Sequence, residues 1–229
     1  YVIDIGSHVG LMTIPIANKI GSKGMVYSFE PQKMLYFLQC GNLALNNIRN
    51  VEIFNAAMGK SDGELFVDDI DYSEVGNFGG FGIKKGYDYS KFIKTNKNKL
   101  MKVVVKNLDQ FLNLKKCNLI KLEAESFEKK ILQGGLKFLE KFRPTMIIEN
   151  HPLEPSELNK FLFSQNYDLY WINYRLFQEN NYFLNSKNYF NTWSKSYVLA
   201  YPKEKKILED NLTKINSVDQ KNPSFVINN

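Results

Sequence analysis

The chain has 229 residues, 44% of them hydrophobic and 24% charged, an ordinary globular composition that excludes disorder as the main state and suits one α/β domain better than two. No apolar run approaches the roughly 20 residues that a membrane-spanning helix needs. Thirty Lys and Arg against 24 Asp and Glu give a net charge of +6, but no arginine-rich stripe accompanies it, which argues against nucleic-acid recognition.

Strands and helices alternate from Tyr1 to about Lys60. Apolar residues recur at helical spacing over residues 9–20, and Gly21 ends this predicted helix. Pro31 begins the next helix, where its missing N–H would have no partner in any case. Such alternation with short links is typical of a parallel sheet with right-handed crossovers. The predicted strands are Tyr1–Ile5, Met25–Phe29 and Val51–Asn55, and the predicted helices are residues 9–20 and 31–46.

After Lys60 the pattern changes. Glycines cluster over residues 76–86 and lysines are dense from Lys84 to Lys106, which we interpret as an exposed loop. A strand is predicted on each side of the glycine cluster, and alternation then resumes. The predicted strands are Glu64–Val67, Lys102–Val105, Leu119–Leu122, Thr145–Glu149, Tyr167–Ile172 and Tyr197–Tyr201, and the predicted helices are Leu108–Leu112, Phe127–Leu139 with an interruption at Gly134-Gly135, and a helix from Pro155 to about Ser164.

These elements predict one doubly wound α/β domain over residues 1–202, with a mostly parallel, seven-stranded sheet and a terminal antiparallel hairpin. The polar residues 203–229 are expected to form a tail. Because Tyr1 lies inside a predicted core strand, we expect an upstream segment in the natural protein. Cys40 and Cys117 form no CxxC pair and no metal-spaced cluster, which favours a reduced, cytoplasmic setting.

The junction of the first strand and helix reads Asp4-Ile5-Gly6-Ser7-His8-Val9-Gly10. Glycines allow a sharp turn and a close approach to a ligand, and the following helix start offers free N–H groups. A nicotinamide enzyme would show GxGxxG here, whereas DxGxxxG has one glycine fewer and an acid before it. That acid suits a ligand with a positive charge, such as the ammonium of an amino-acid moiety; the alternative is an ordinary strand-to-helix turn.

Glu30 ends the second predicted strand, 20 residues after Gly10. An acid at this position can accept hydrogen bonds from both hydroxyls of a ribose and would repel a 2′-phosphate. The two acids together predict nucleoside binding and favour S-adenosylmethionine over NAD.

Three stretches resemble the FkbM-type methyltransferase family, and shorter motifs follow in the same order. The three are Val2–Leu11, Ser28-Phe29-Glu30-Pro31-Gln32 and Leu119–Glu128; the shorter motifs are Asn55-Ala56-Ala57-Met58-Gly59, Leu108-Asp109 and Ile147-Ile148-Glu149-Asn150. The resemblance covers residues 1 to about 152. It implies a class I methyltransferase fold, S-adenosylmethionine as cofactor and transfer to an oxygen, often of a sugar or polyketide-type hydroxyl. The cofactor-binding residues so predicted are Asp4, Gly6, Ser7, Gly10, Glu30, Pro31, Asn55, Ala56 and Glu123.

Two positions depart from the family pattern IKIDVEGxE. Glu123 stands in place of Asp and Ser126 in place of Gly. The first change moves a carboxylate outward by one methylene, and the second adds a Cβ where we expect the backbone to need a positive φ. Cofactor binding tolerates such changes better than catalytic geometry does, so a non-catalytic nucleoside-binding domain is the alternative function.

Transfer to a hydroxyl requires a base that removes its proton. His151 is the first candidate because its ordinary pKa suits the task; the alternative is a surface histidine at a strand end. Glu125 is the second, as a base or as a clamp on Lys121; the alternative is a carboxylate that caps the helix near Phe127. His8 is expected to shape the cofactor pocket.

Other interpretations of the same residues remain open. We predict no metal, although Glu123, Glu149 and Asn150 offer oxygen ligands of the kind that Mg²⁺ accepts. The aromatic residues between Tyr167 and Tyr201 either pack in the core or stack on a sugar acceptor. The lysine-rich stretch raises an RNA methyltransferase as a further alternative. The predicted partner is a small-molecule or carbohydrate acceptor.

Overall fold

The computed structural model describes residues 1–80, 94–150, 156–181, 184–191, 194–205 and 211–223, with the backbone alone at 97 and 98. Its contacts divide the chain into two units, Tyr1–Pro144 and Thr145–Asn229. The first unit contains β1 (Val2–Ile5), α1 (Thr13–Ile20), β2 (Val26–Phe29), α2 (Lys33–Leu45), β3 (Val51–Phe54), β4 (Ala57–Met58), β5 (Gly63–Ile70), β6 (Thr95–Lys106), β7 (Leu119–Leu122), α3 (Glu128–Gln133) and α4 (Leu136–Phe142), with 3₁₀ turns at Phe78–Gly80 and Leu108–Phe111.

Four short apolar strands form a parallel array in the first unit, in the order β7-β1-β2-β3. Ile5 lies opposite Phe29 of β2 and Leu122 of β7, and all three side chains are buried. Strands of this composition are typical of a parallel sheet covered on both faces. Their carboxyl ends meet at one edge, where the loop after β1, Glu30 and Glu123 follow directly.

The two helices after β1 and β2 begin later than predicted. Backbone φ is positive at both His8 and Gly10, so the glycine loop cannot be helical and α1 begins at Thr13. Gly21 ends α1 with a φ of 66° and donates its N–H to the carbonyl of Ala17. A glycine just after the last apolar position of a helix commonly marks its end, since glycine adopts a positive φ at little cost, which explains why this boundary was predicted correctly.

A second sheet of three strands, in the order β4-β6-β5, corrects the prediction of an exposed loop through Lys106. β6 starts at Thr95 and pairs antiparallel with β5. Val103 and Val105 are buried, while the preceding Lys102 faces solvent and pairs with Glu64 at 2.9 Å. This lysine therefore lies on the solvent-facing side of a strand and not in a loop.

The second unit is antiparallel. It contains β8 (Thr145–Glu149), α5 (Glu157–Ser164), β9 (Tyr167–Arg175), β10 (Ser194–Pro202) and β11 (Thr213–Ile215), with strand order β11-β9-β10-β8. The predicted hairpin is confirmed, since β9 and β10 pair antiparallel along their full length.

The prediction of a polar tail after residue 202 is wrong in part. β11 pairs with β9 and buries Ile215. Asn222 is also buried, and its Nδ2 donates to Asn173 Oδ1 at 2.6 Å and to Ser196 Oγ at 2.8 Å. β11 has only three residues, one of them apolar, so the sequence shows no alternating pattern from which this strand could be predicted.

The fold class is α/β as predicted, but the strand count and pairing differ. Apart from the three-stranded sheet, the described residues contain a parallel array of four strands in the first unit and an antiparallel array of four in the second. The prediction was a mostly parallel sheet of seven strands. Cys40 and Cys117, which both lie in the described part of the chain, form no disulfide, and the cytoplasmic setting stays a prediction. Among the described residues, none of the helices combines the length and the apolar character needed to cross a membrane.

Candidate cofactor site

The loop Gly6–Gly10, called the glycine loop below, leaves β1 at the edge where the parallel strands end. Gly6 has a φ of 74° and Gly10 a φ of 89°, conformations that side chains disfavour. A Cβ at Gly6 would lie 1.8 Å from the carbonyl oxygen of Glu123, so the loop packs directly on the end of β7. His8 also takes a positive φ, of 54°, which histidine adopts more readily than most residues.

Asp4 and Lys121 lie beneath the glycine loop and are almost completely buried. Thr13 Oγ1 donates to Asp4 Oδ2 at 2.7 Å, whereas Asp4 Oδ1 accepts no hydrogen bond from the described residues. Lys121 Nζ lies 3.4 Å from that oxygen and donates to the carbonyl of Gly6 at 2.8 Å. The nearest cation to Asp4 is thus a protein group. Because Asp4 has no exposed surface, its predicted contact with a ligand ammonium would require the glycine loop to move.

A buried polar network that the sequence analysis missed holds the same loop from α2. Gln39 is fully buried and bonds to Ser7, Thr13 and Ser28 at 2.6–3.0 Å. Ser7 is therefore turned toward the interior. Gln39 follows Leu35 by four residues and precedes Leu43 by four, so it occupies the inward stripe of the helix, and this spacing was the available signal.

Glu30, at the end of β2, carries the most distinctive electrostatics of the site. Its carboxylate is buried and accepts backbone N–H bonds from His8 to Oε2 and from Gln32 to Oε1, each at 2.9 Å. Burial raises its pKa to about 7, against the opposing effect of the two backbone hydrogen bonds and of Lys121. Each oxygen retains an unused acceptor position, since a carboxylate offers about four.

The predicted residues Pro31, Asn55 and Ala56 lie beside Glu30. Asn55 Nδ2 donates to the carbonyls of Glu30 at 2.9 Å and Pro31 at 3.1 Å, and so ties the end of β3 to the end of β2. Ala56 is buried next to it. The three residues thus fix the backbone that presents the Glu30 carboxylate.

The turn Glu123–Glu128, called the β7–α3 turn below, is the other predicted part of the site. The carboxylate of Glu123 lies 3.5 Å from Lys121 Nζ. Glu125 and Ser126 have φ values of 48° and 75°, which confirms the expectation of a positive φ at Ser126. The buried Glu128 accepts the N–H of Ala124 at 2.8 Å and closes the turn.

The pKa of His8, in the glycine loop, is shifted by burial and by charged groups at the end of β7. Burial and the positive charge of Lys121 lower its pKa, while the carboxylate of Glu123 acts in the opposite direction. The imidazole is consequently neutral at neutral pH, with one nitrogen able to accept a proton or hydrogen bond.

The remaining predicted residues receive less support. His151 lies outside the described residues. Asn150, a possible metal ligand, uses its amide within the second unit, because Oδ1 accepts from Ser156 and Nδ2 donates to Asn159, both at 2.9 Å. No cluster of three His, Cys, Asp or Glu suited to a metal occurs in the described part of the chain.

The described aromatic residues of the second unit lie in different environments. Tyr167, Tyr170 and Trp171 are buried in β9, which supports core packing for these three. Tyr174 and Tyr197 stack with centroids 5.8 Å apart. Tyr182, Phe183 and Trp193, also considered for an acceptor wall, lie outside the described residues.

Comparison with known proteins identifies the domain. The family model "Methyltransferase FkbM domain" matches residues 4–189, well over half of the chain. The chain belongs to the FkbM methyltransferase domain family. This confirms the resemblance drawn from the motifs at Val2–Leu11 and Leu119–Glu128, from which S-adenosylmethionine is the predicted cofactor.

Two relatives illustrate how far the likeness extends. The chain is 23% identical over 146 residues to Methyltransferase 1 of Beauveria bassiana (strain ARSEF 2860), a match over 58% of this chain and 57% of that protein. A solved FkbM methyltransferase from Methylobacillus flagellatus KT is similar in structure, with a TM-score of 0.53 and 12% identity over 86% of this chain and 42% of that one. The chain thus spans less than two thirds of each relative, and the structural likeness shows the shared fold.

The described residues fit this cofactor. Glu30, beside the glycine loop, offers unused acceptor positions on two oxygens held in fixed orientation. A diol that donates two parallel hydrogen bonds matches this carboxylate.

Proposed function

We propose that this chain is an S-adenosylmethionine-dependent methyltransferase domain that methylates a hydroxyl oxygen of a sugar, a glycan or another small molecule. The observation that carries the proposal is the Glu30 carboxylate, held by two backbone N–H groups at the end of β2 beside the glycine loop. Membership of the FkbM family supports methyl transfer, and the resemblance of the motifs supports an oxygen acceptor.

Each part of the site has a proposed role in cofactor binding. Glu30 accepts the ribose hydroxyls, and Pro31, Asn55 and Ala56 support the nucleoside side. The glycine loop allows close approach of the backbone, and Asp4, Ser7 and Lys121 hold it from below. Glu123, at the end of β7, is the proposed partner for the polar end of the cofactor.

The bound cofactor supplies a methyl group on a positively charged sulfur. The chain must then align the acceptor hydroxyl with that methyl group, and alignment is the larger part of the work in such a displacement. It must also remove the hydroxyl proton. Glu125 in the β7–α3 turn and His151 are the proposed bases, and the neutral His8 lines the pocket without a role in proton transfer.

The test is a methyl-transfer assay that measures S-adenosylhomocysteine release with panels of sugars, glycans and phenolic or aliphatic alcohols. We expect release with at least one hydroxyl acceptor and none when that hydroxyl is replaced by hydrogen. Transfer to RNA alone, with binding that falls steeply as salt rises, would contradict the small-molecule acceptor.

A non-catalytic nucleoside-binding domain is the second candidate, and the left-handed Ser126 is the observation that favours it. A side chain in this conformation is strained by about 1–2 kcal/mol, at a turn where the family has glycine. Tight binding of S-adenosylhomocysteine without transfer to any acceptor would select this candidate.

A further inference from the structure

A segment that follows β5 lies against the proposed cofactor residues. This segment, Asp71–Gly80, is called the strap below. It begins where the N–H of Asp71 donates to the carbonyl of Lys94 at 3.0 Å. Tyr72 and Phe78 pack on the buried Ile70, with their ring centroids 5.0 Å apart. The strap therefore has an apolar base of its own that fixes its position relative to β5.

Gln32 connects the strap to Glu30. Its Nε2 donates to the carbonyl of Phe78 at 2.8 Å, and its Oε1 accepts from the Tyr72 hydroxyl at 3.1 Å. Its backbone N–H donates to Glu30 Oε1. Gln32 is the residue that precedes α2, yet its side chain makes no capping bond to that helix. Both polar atoms of the buried amide are thus used to hold the strap.

The other donor to Glu30 also lies beside the strap. The N–H of His8 donates to Glu30 Oε2, and a Cβ at Gly79 would lie 3.5 Å from Nε2 of His8. The two residues whose N–H groups orient the Glu30 carboxylate are therefore both adjacent to the strap. The neutral Tyr72 hydroxyl remains a donor, because burial and the nearby carboxylates of Glu30 and Asp69 raise its pKa to about 12.

We propose that the strap is part of the cofactor site, and that Tyr72 and Gln32 are positioning residues that orient the Glu30 carboxylate toward the ribose of S-adenosylmethionine. The inference rests on the ribose contact of Glu30 given under the proposed function. The motifs that carry the resemblance include none of residues 71–80, because they stop at Gly59 and resume at Leu108. Tyr72 acts through Gln32, so its effect on ligand binding exists only where Glu30 carries a carboxylate to be oriented.

The test is a double-mutant cycle on S-adenosylhomocysteine affinity, measured by calorimetry with wild type, Tyr72→Phe, Glu30→Ala and the double variant. Loss of one neutral hydrogen bond should weaken binding by about three- to tenfold in the wild-type background. In the Glu30→Ala background the same change should have an effect of less than about twofold, because coupled residues are not additive. Tyr27→Phe, which removes a hydroxyl from the far end of β2, is the matched control and should leave affinity unchanged.

Each result decides the matter. An equal loss for Tyr72→Phe in both backgrounds, or no loss in the wild type, overturns the positioning role. An unchanged affinity for Glu30→Ala instead overturns the ribose contact on which the inference depends, so the two failures are distinguishable. If Glu30→Ala does not fold by circular dichroism, Glu30→Gln replaces it, since it keeps the side-chain shape and removes the charge.

Discussion

The glycine loop and the β7–α3 turn both follow strands of the same parallel array, and they contact each other where Gly6 packs on the carbonyl of Glu123. Both require left-handed backbone. In the glycine loop, glycines occupy two of the three left-handed positions and His8 the third. In the β7–α3 turn, both left-handed positions carry side chains, those of Glu125 and Ser126.

The two regions lie at the same edge of the parallel array, and this difference suits them to different proposed functions. The loop that faces the proposed nucleoside site conforms to backbone preference and is tied down by a buried network through Gln39 and Lys121. The turn that carries the proposed base Glu125 is strained, by about 1–2 kcal/mol for each left-handed side chain. Cofactor affinity should therefore depend mainly on the first region and turnover on the second.

The largest effect is expected from Gly6→Ala. The new Cβ would lie 1.8 Å from the Glu123 carbonyl oxygen, so the two regions must separate by roughly 1 Å or more. A displacement of this size costs on the order of a hundredfold in rate in a preorganised site, so we expect turnover to fall by at least about that factor and S-adenosylhomocysteine affinity to fall with it. Gly21→Ala is the control, because its φ is also positive, at 66°, and a Cβ there meets nothing within 4 Å. Equal losses in both variants would contradict the argument from packing.

The pH dependence of binding should be next in size. The pKa of Glu30 is raised to about 7, and ribose hydroxyls donate to the ionised form. The competent fraction therefore rises from about a tenth at pH 6 to about nine tenths at pH 8, and affinity should rise about tenfold. Calorimetry at both pH values checks this, and Glu30→Gln should abolish the dependence. Affinity that falls with rising pH would contradict the proposed contact.

The free energy of unfolding of the ligand-free protein should fall as pH rises, whereas the affinity for the cofactor product rises. The pKa of Glu30 is raised from 4.5 to about 7 on folding, so the folded state retains a proton that the unfolded state loses between these values. The contribution of Glu30 to the free energy of unfolding is then fully present below pH 4.5 and is lost as pH rises through about 7. Chemical unfolding of wild type and Glu30→Gln across this window measures the difference.

Restoring the family residues in the β7–α3 turn should have a smaller, selective effect. Glu123→Asp combined with Ser126→Gly relieves the strain at 126 and should raise the single-turnover methylation rate, while S-adenosylhomocysteine affinity stays within about threefold. Asn47→Gly, at another exposed left-handed position with a φ of 53°, should leave the rate unchanged. A slower revertant would show that neighbouring residues are adapted to Glu123 and Ser126.

The smallest effect is expected from removal of metal ions. Asn150 uses both polar atoms of its side chain on Ser156 and Asn159, so it is poorly placed to bind Mg²⁺. Methyl transfer should persist in excess chelator within about twofold, because the proposed acid–base groups act without a metal. Complete loss, restored by added Mg²⁺, would make Glu123, Glu149 and Asn150 candidate ligands again.

The sequence predicted some strands and site residues better than others, for physical reasons. β8 was placed at Thr145–Glu149, its observed bounds, because a continuous apolar run between polar ends is a strong signal. β6 was missed over residues 95–101 because its lysines were interpreted as loop rather than as the solvent face of a strand. At the site, the positions of Gly6, Glu30 and Ser126 followed from motifs. Helical spacing indicated only that Gln39 faces inward, and the hydrogen-bond partners of Gln39 and Gln32 depend on tertiary packing.

The central claim is that Glu30 binds the cofactor ribose, and calorimetric titration of wild type and Glu30→Ala with S-adenosylhomocysteine tests it most directly. Loss of a charged hydrogen-bond partner should weaken binding by about 1.5–3 kcal/mol, or roughly 10- to 150-fold. That result, with unchanged circular dichroism, would support the nucleoside site at the end of β2. An affinity equal to that of the wild type would contradict it.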